Sequence, residues 1–167
     1  GINKAMLHYY FRSKEKIFSA VFENVTRDFF AGMISTMAVD MPLEDRLVLY
    51  SERYIDFIKA NPFVPAFIIH ELNEGTDVVK KIFQNTMPKA VGALLVALDN
   101  SLKEISPNMI SARQLITNFI SMAIFPIVAK PMLMINLGMS EDEYDEFIEE
   151  RKKVIPRFIM SALREGL

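Results

Sequence analysis

Apolar residues recur along this chain with a helical rhythm. In the first long regular stretch they stand at Ile17, Phe18, Val21, Phe22, Val25, Phe29 and Met33, a spacing that fits a period of 3.6 and fails a period of two. The pattern predicts a helix from 14 to about 37, with Ser13 as its N-cap and Glu15 in its first turn. It breaks at Ala38-Val39-Asp40-Met41-Pro42, where Pro42 suits a first helical position. A second apolar stripe then runs through Leu43, Leu47, Tyr50, Tyr54, Phe57 and Ile58 and ends at Asn61-Pro62.

A short segment, about 64–72, reads as a further helix closed by Gly75. Thr76 is placed to cap the next helix, which Pro88 either interrupts or restarts and which 90–105 continues. Ser106-Pro107-Asn108 is a turn signal. From 110 to about 129 the chain is strongly apolar, a helix with Pro126 near its end. Ser140 and Glu143 have the spacing of a capping box for a last helix that runs to about 165, with a kink expected at Pro156. No alternating segment competes, so the expected class is all-α, with about eight helices.

Composition adds limits. The 167 residues are the length of one domain with a small appendage, and half of them are apolar, with 13 Phe and 11 Met to fill a large core. Cysteine is absent, which excludes disulfides, zinc-thiolate sites and thiol catalysis and suits a reducing compartment. The net charge of −2 points to neither nucleic acid nor membrane. Its distribution is uneven: Lys4, Arg12, Lys14 and Lys16 face one acid, Glu15, in residues 1–16, whereas 141–150 hold seven acids and no base. Those acids fall in the first turns of the last helix, where its dipole favours them. Glu149 and Glu150 are spaced to pair with Lys153 at i+4 and i+3. No Gly-centred loop accompanies them, so calcium is not expected. The apolar stretch 115–137 contains Asn118, Pro126, Lys130 and Pro131, which leaves too short an uninterrupted run to span a bilayer and predicts a buried helix or an interface, with no membrane partner.

Catalytic patterns are thin. His70-Glu71-Leu72-Asn73-Glu74 holds half of a zinc-protease motif, with Glu74 where the second His would stand. There is no Gly-rich phosphate loop and no serine elbow. The expectation is a protein that is not an enzyme and needs no metal or cofactor.

The opening stretch, GINKAMLHYYFRSKEKIF, carries the most information about function. Read as a helix over 3–10 with Asn3 as its N-cap, it places Leu7 and Phe11 on one narrow apolar face and leaves a broad face of Lys, His and Tyr. So little apolar surface requires docking on something else. Lys14 then stands beside the free amides of a new helix start, a combination that suits a phosphate group. A polar-aromatic helix followed by a cationic helix start fits DNA, with one helix in the major groove and the next holding the backbone.

This stretch resembles, nearly residue for residue, the recognition helix and the following helix start of the TetR family of transcriptional regulators. Gly1, Asn3, Leu7, Tyr9, Tyr10, Phe11, Lys14, Glu15 and Phe18 carry the match, which spans about a tenth of the chain. Met6 and His8 stand where the family often has a small polar residue and a Tyr, which leaves base preference open. The resemblance implies that Gly1 lies in the middle of a helix-turn-helix whose first two helices precede it. It divides the chain into 1–18, the remnant of a DNA-binding domain, and 19–167, a helical regulatory domain.

By that resemblance Asn3 caps the recognition helix, Lys4, Met6 and Tyr9 face bases or their backbone, His8 and Tyr10 touch phosphate or thymine methyls, and Lys14 anchors a phosphate. Arg12 and Lys16 are placed for longer-range attraction or simple solvation. Such proteins are cytoplasmic symmetric dimers joined by their last two long helices, here 110–129 and 141–165. Phe119, Met122, Ile127, Phe158, Ile159 and Leu163 offer more apolar surface than one helical layer hides, and two-fold pairing would set the spacing of operator half-sites. A ligand cavity is expected among 42–60, 64–72, 90–105 and 110–129, with Tyr54, Phe57, Phe67, His70, Phe83, Asn118, Phe119 and Met122 as candidate lining. Its Met- and Phe-rich surroundings suggest a hydrophobic small-molecule effector. The function implied is a repressor that binds operator DNA as a homodimer and is released by that ligand. A helical small-molecule or lipid-binding module with no DNA-binding role is the alternative, and only the first 18 residues separate the two.

Overall fold

The computed structural model describes residues 14–37, 39–75, 77, 84, 88–105 and 110–165. Every regular element among them is a helix, and no strand occurs among the described residues, so the chain is all-α. The helices are α1 (Lys14–Met37), α2 (Leu43–Ala60), α3 (Phe63–Glu74), α4 (Pro88–Ile105), α5 (Ala112–Val128), α6 (Lys130–Leu137) and α7 (Glu141–Glu165).

α1 has the expected bounds. Its buried face includes Phe22, Thr26, Met33 and Thr36. The two threonine hydroxyls are satisfied inside the helix: Thr26 Oγ1 donates to Phe22 O at 2.6 Å and Thr36 Oγ1 to Gly32 O at 2.9 Å. Arg53 of α2 donates to Thr36 Oγ1, which ties the end of α1 to α2.

α2 begins one residue later than expected. Pro42 is its N-cap rather than its first helical residue, because its ψ of 147° is extended. The Pro42 carbonyl still receives the first helical bond, from Arg46 N at 3.1 Å, and Glu44 and Asp45 fill the first turn. Asn61 closes the helix with its backbone and side-chain amides on Phe57 O, both at 2.9 Å. α3 is slightly longer than expected and closes at Gly75, whose φ of +67° is the left-handed cap that glycine adopts without strain. The Thr76 cap and the 106–108 turn lie outside the described residues.

α5 is capped by Ser111, whose Oγ accepts from Gln114 N at 3.3 Å, and Asp99 of α4 accepts from Ala112 N at 2.9 Å. After Ala129 the chain turns by 76° into α6, a helix that the apolar pattern does not reveal. Pro131 lies in the first turn of α6, where its missing N–H removes no helical bond. None of the described helices is alone long and apolar enough to cross a membrane; α5 and α6 meet that length and composition only as a bent pair.

The capping box of α7 forms as expected, with Ser140 N donating to Glu143 Oε2 at 2.8 Å and Glu143 N to Ser140 Oγ at 3.3 Å. α7 continues through a buried Pro156 to Glu165. It packs most extensively on α2 and also on α5, and α5 packs on α2 and α4. Leu47, Ile55, Leu98 and Ile155 are among the fully enclosed residues of this core. A smaller cluster joins Phe22 of α1 to Val64 and Phe67 of α3. The α2–α7 seam also corrects the expected pairing of Glu149 with Lys153. Glu149 binds Lys152 and Lys59 instead, each at 2.5 Å. Lys152 is tucked between the helices, where it also meets Asp56 at 2.5 Å, so the tertiary partner selects this lysine over its neighbour.

Candidate ligand and association surfaces

Lys14, the last of the residues expected at DNA, is the first residue of α1, and Lys14–Phe18, the end of the opening motif, is helical. Asn3, Lys4, Met6, His8, Tyr9 and Tyr10 lie outside the described residues. α1 spans about 36 Å at 1.5 Å per residue and is gripped by aromatic contacts at two heights. Phe22 meets Phe67 of α3 with centroids 5.2 Å apart, and Phe29 stacks on Phe57 of α2 at 3.8 Å.

Most of the expected ligand lining is core. Tyr54 packs on Phe29 at 5.5 Å and edge-on to Phe119 at 5.6 Å, and Tyr50 meets Phe119 at 4.8 Å. Together with Phe57 these rings fill one another's space, and the gap left around Tyr50 and Phe119 is about 10 Å³, too small for an organic ligand. Tyr54, Phe57 and Phe119 therefore serve packing rather than a cavity in this conformation. Burial raises the Tyr50 pKa to about 12; Tyr54 is pushed up too, by burial first and the neighbouring Tyr50 second, so both phenols stay neutral. Phe67 belongs to the small α1–α3 cluster, and His70 is exposed on α3. Phe83 lies outside the described residues.

Asn118 and Met122 are brought together elsewhere, in a slot between α5 and α7 with a volume of about 370 Å³. α5 contributes Leu115, Asn118, Ser121 and Met122; α7 contributes Phe158, Ile159, Ala162 and Leu163; Ile110 closes one end. Among the described residues, no charged side chain lines it.

The slot also separates the residues expected at a dimer interface. Phe119, Ile159 and Leu163 are only 3%, 5% and 4% exposed, because they turn toward the chain's own core, so a second copy gains little from them. Met122 and Ile127 are half-buried and pack against the same core. Phe158 is 64% exposed. Two large apolar residues that the sequence reading passed over, Phe125 and Val154, are exposed as well. Helical spacing puts Phe125 on the stripe of Asn118, Ser121 and Met122, and Val154 on that of Phe158 and Ala162.

One polar arrangement fixes this face. Pro126 has no N–H to give the Met122 carbonyl, and Arg151 of α7 replaces it, donating Nε at 3.0 Å and Nη2 at 2.7 Å. The guanidinium lies 5.6 Å from the centre of the Phe147 ring, and burial lowers its pKa. Seven residues earlier on α7, the Tyr144 hydroxyl donates to Pro126 O at 3.1 Å, and Lys130 sits over the Tyr144 ring while pairing with Glu141. A second hollow of about 240 Å³ lies beside this bend, lined by Ile58, Ile127 and Ile148 together with Lys59, Lys130 and Asp145.

Comparison of the chain with family models, characterised proteins and solved structures gives no match.

Proposed function

We propose that this chain is the regulatory and dimerising part of a ligand-responsive DNA-binding regulator of the TetR type, a repressor released by a hydrophobic small molecule. The observation that carries the reading is the opening sequence motif, whose last five residues, Lys14–Phe18, begin α1. In this reading the motif grips operator DNA, and α1 is the lever that connects it to the core. The aromatic contacts at Phe22 and Phe29 fix the tilt of that lever. A ligand changes the separation of two reading heads only to the extent that it binds one tilt better than the other. The exposed Phe125, Val154 and Phe158 supply the surface on which a second copy pairs through α5 and α7.

Selection from a pool of random duplexes with the complete gene product tests the proposal. A two-fold symmetric sequence should emerge, with half-sites about one helical turn or a multiple apart. Recovery of no preferred sequence would refute it.

A further inference from the structure

We infer that the slot between α5 and α7 is a binding site for an uncharged, largely apolar small molecule, oriented by the Asn118 amide and the Ser121 hydroxyl. The slot is deep: Leu115, Ile159 and Leu163, all core residues, form part of its lining. Its volume of about 370 Å³ falls within the range of small-molecule sites, roughly 300–1,000 Å³. Asn118 and Ser121 stand three residues apart on one helical face, so one molecule can reach both, and a lining that is uncharged among the described residues disfavours an ionic ligand.

Two other spaces fit such a molecule less well. The gap in the aromatic cluster has room for no more than water. The lining of the hollow at the α5–α6 bend includes two lysines and an aspartate. Phe125, Val154 and Phe158, the exposed residues on which a second copy is proposed to rest, form an outer surface on α5 and α7. Phe158 belongs both to the wall of the slot and to that outer surface, so a molecule in the slot touches a residue on which pairing depends. The role of the slot as effector site rests on the regulator reading; its capacity to bind does not.

N-Phenyl-1-naphthylamine, an uncharged fluorescent probe of apolar sites, tests the inference on the full chain. The wild type should bind it saturably at one site per chain. Ala162→Phe, which places a ring in the slot, should weaken binding at least about tenfold, and Ser121→Leu, which narrows the mouth from the other helix, should weaken it in the same direction. Circular dichroism and the thermal midpoint identify a variant that has failed to fold, and the other then decides. Ile135→Ser, which alters the exposed apolar surface of α6, should leave binding unchanged. Unaltered affinity in a folded slot variant, or loss in Ile135→Ser, overturns the inference. So does a wild type that binds no probe while sedimenting as a dimer at every concentration, a result that assigns the slot to the second copy. Probe binding that disappears in the slot variants, in a protein that selects no DNA sequence, supports the slot and refutes the regulator reading.

Discussion

Replacing Arg151 by Met isolates one interaction whose origin is a missing atom. Pro126 denies the Met122 carbonyl its helical donor, and the guanidinium supplies two bonds at 3.0 and 2.7 Å in its place. Methionine keeps most of the apolar stem over Phe147 and removes both donors. A hydrogen bond from a charged donor contributes about 1.5–3 kcal/mol. Arg151 is half-buried, so water re-enters on substitution and the cost should lie near the lower end, about 1.5–2 kcal/mol. For a chain of this size that lowers Tm by about 3–8 °C. The discriminating background is Pro126→Ala, which returns an N–H to the helix. There Arg151→Met should cost less than about 0.5 kcal/mol, giving a coupling of about 1 kcal/mol or more. Urea denaturation of the four proteins of the cycle measures it. Equal costs in the two backgrounds would show that Arg151 does not substitute for the proline's missing amide.

Ser51 is enclosed in α2 and its Oγ has no hydrogen-bond partner among the described residues, so Ser51→Ala should leave stability unchanged or raise it, and a loss above about 1 kcal/mol in urea denaturation would refute this. Gly32 lies inside α1 with open space where a Cβ would go, so Gly32→Ala should stabilise by about 1 kcal/mol, read as a rise in Tm. Glu149 is held below the usual carboxylate range, first by hydrogen bonds from Lys152 and Lys59. A lowered folded-state pKa contributes stability that is full above the unfolded value and is lost as pH falls through the folded one. Stability should therefore drop from pH about 5 downwards, with a shallower drop in Glu149→Gln, and identical slopes would remove Glu149 as a contributor. The capping carboxylate of Glu143, lowered chiefly by the Ser140 amide, moves with pH in the same sense.

Helix positions were legible where one face is apolar and the ends carry strong signals. Ser140 with Glu143 and Gly75 are local rules that tertiary packing has no reason to override. α6 was not legible because none of its residues is buried, so its sequence carries no periodic face; Ile135 is 80% exposed. The candidate site was legible only in part. α5 is apolar on several sides, and spacing alone cannot tell the side that meets Tyr54 from the side that meets solvent. Phe119 and Phe125 thus look alike in sequence, yet one is enclosed by aromatic rings and the other is exposed. Lys152 and Lys153 are likewise neighbours on the same stretch, and Asp56 on another helix decides between them.

The central claim is that the opening motif reads DNA, and a salt titration tests it most directly. The complete gene product, wild type and Lys14→Ala, is titrated by fluorescence anisotropy against a selected duplex and a scrambled one at several salt concentrations. The account predicts tighter binding to the selected duplex, a steep loss of affinity with salt, and a log–log slope reduced by about one per protomer in Lys14→Ala. Equal affinity for the two duplexes, or a slope that Lys14→Ala leaves untouched, would contradict it.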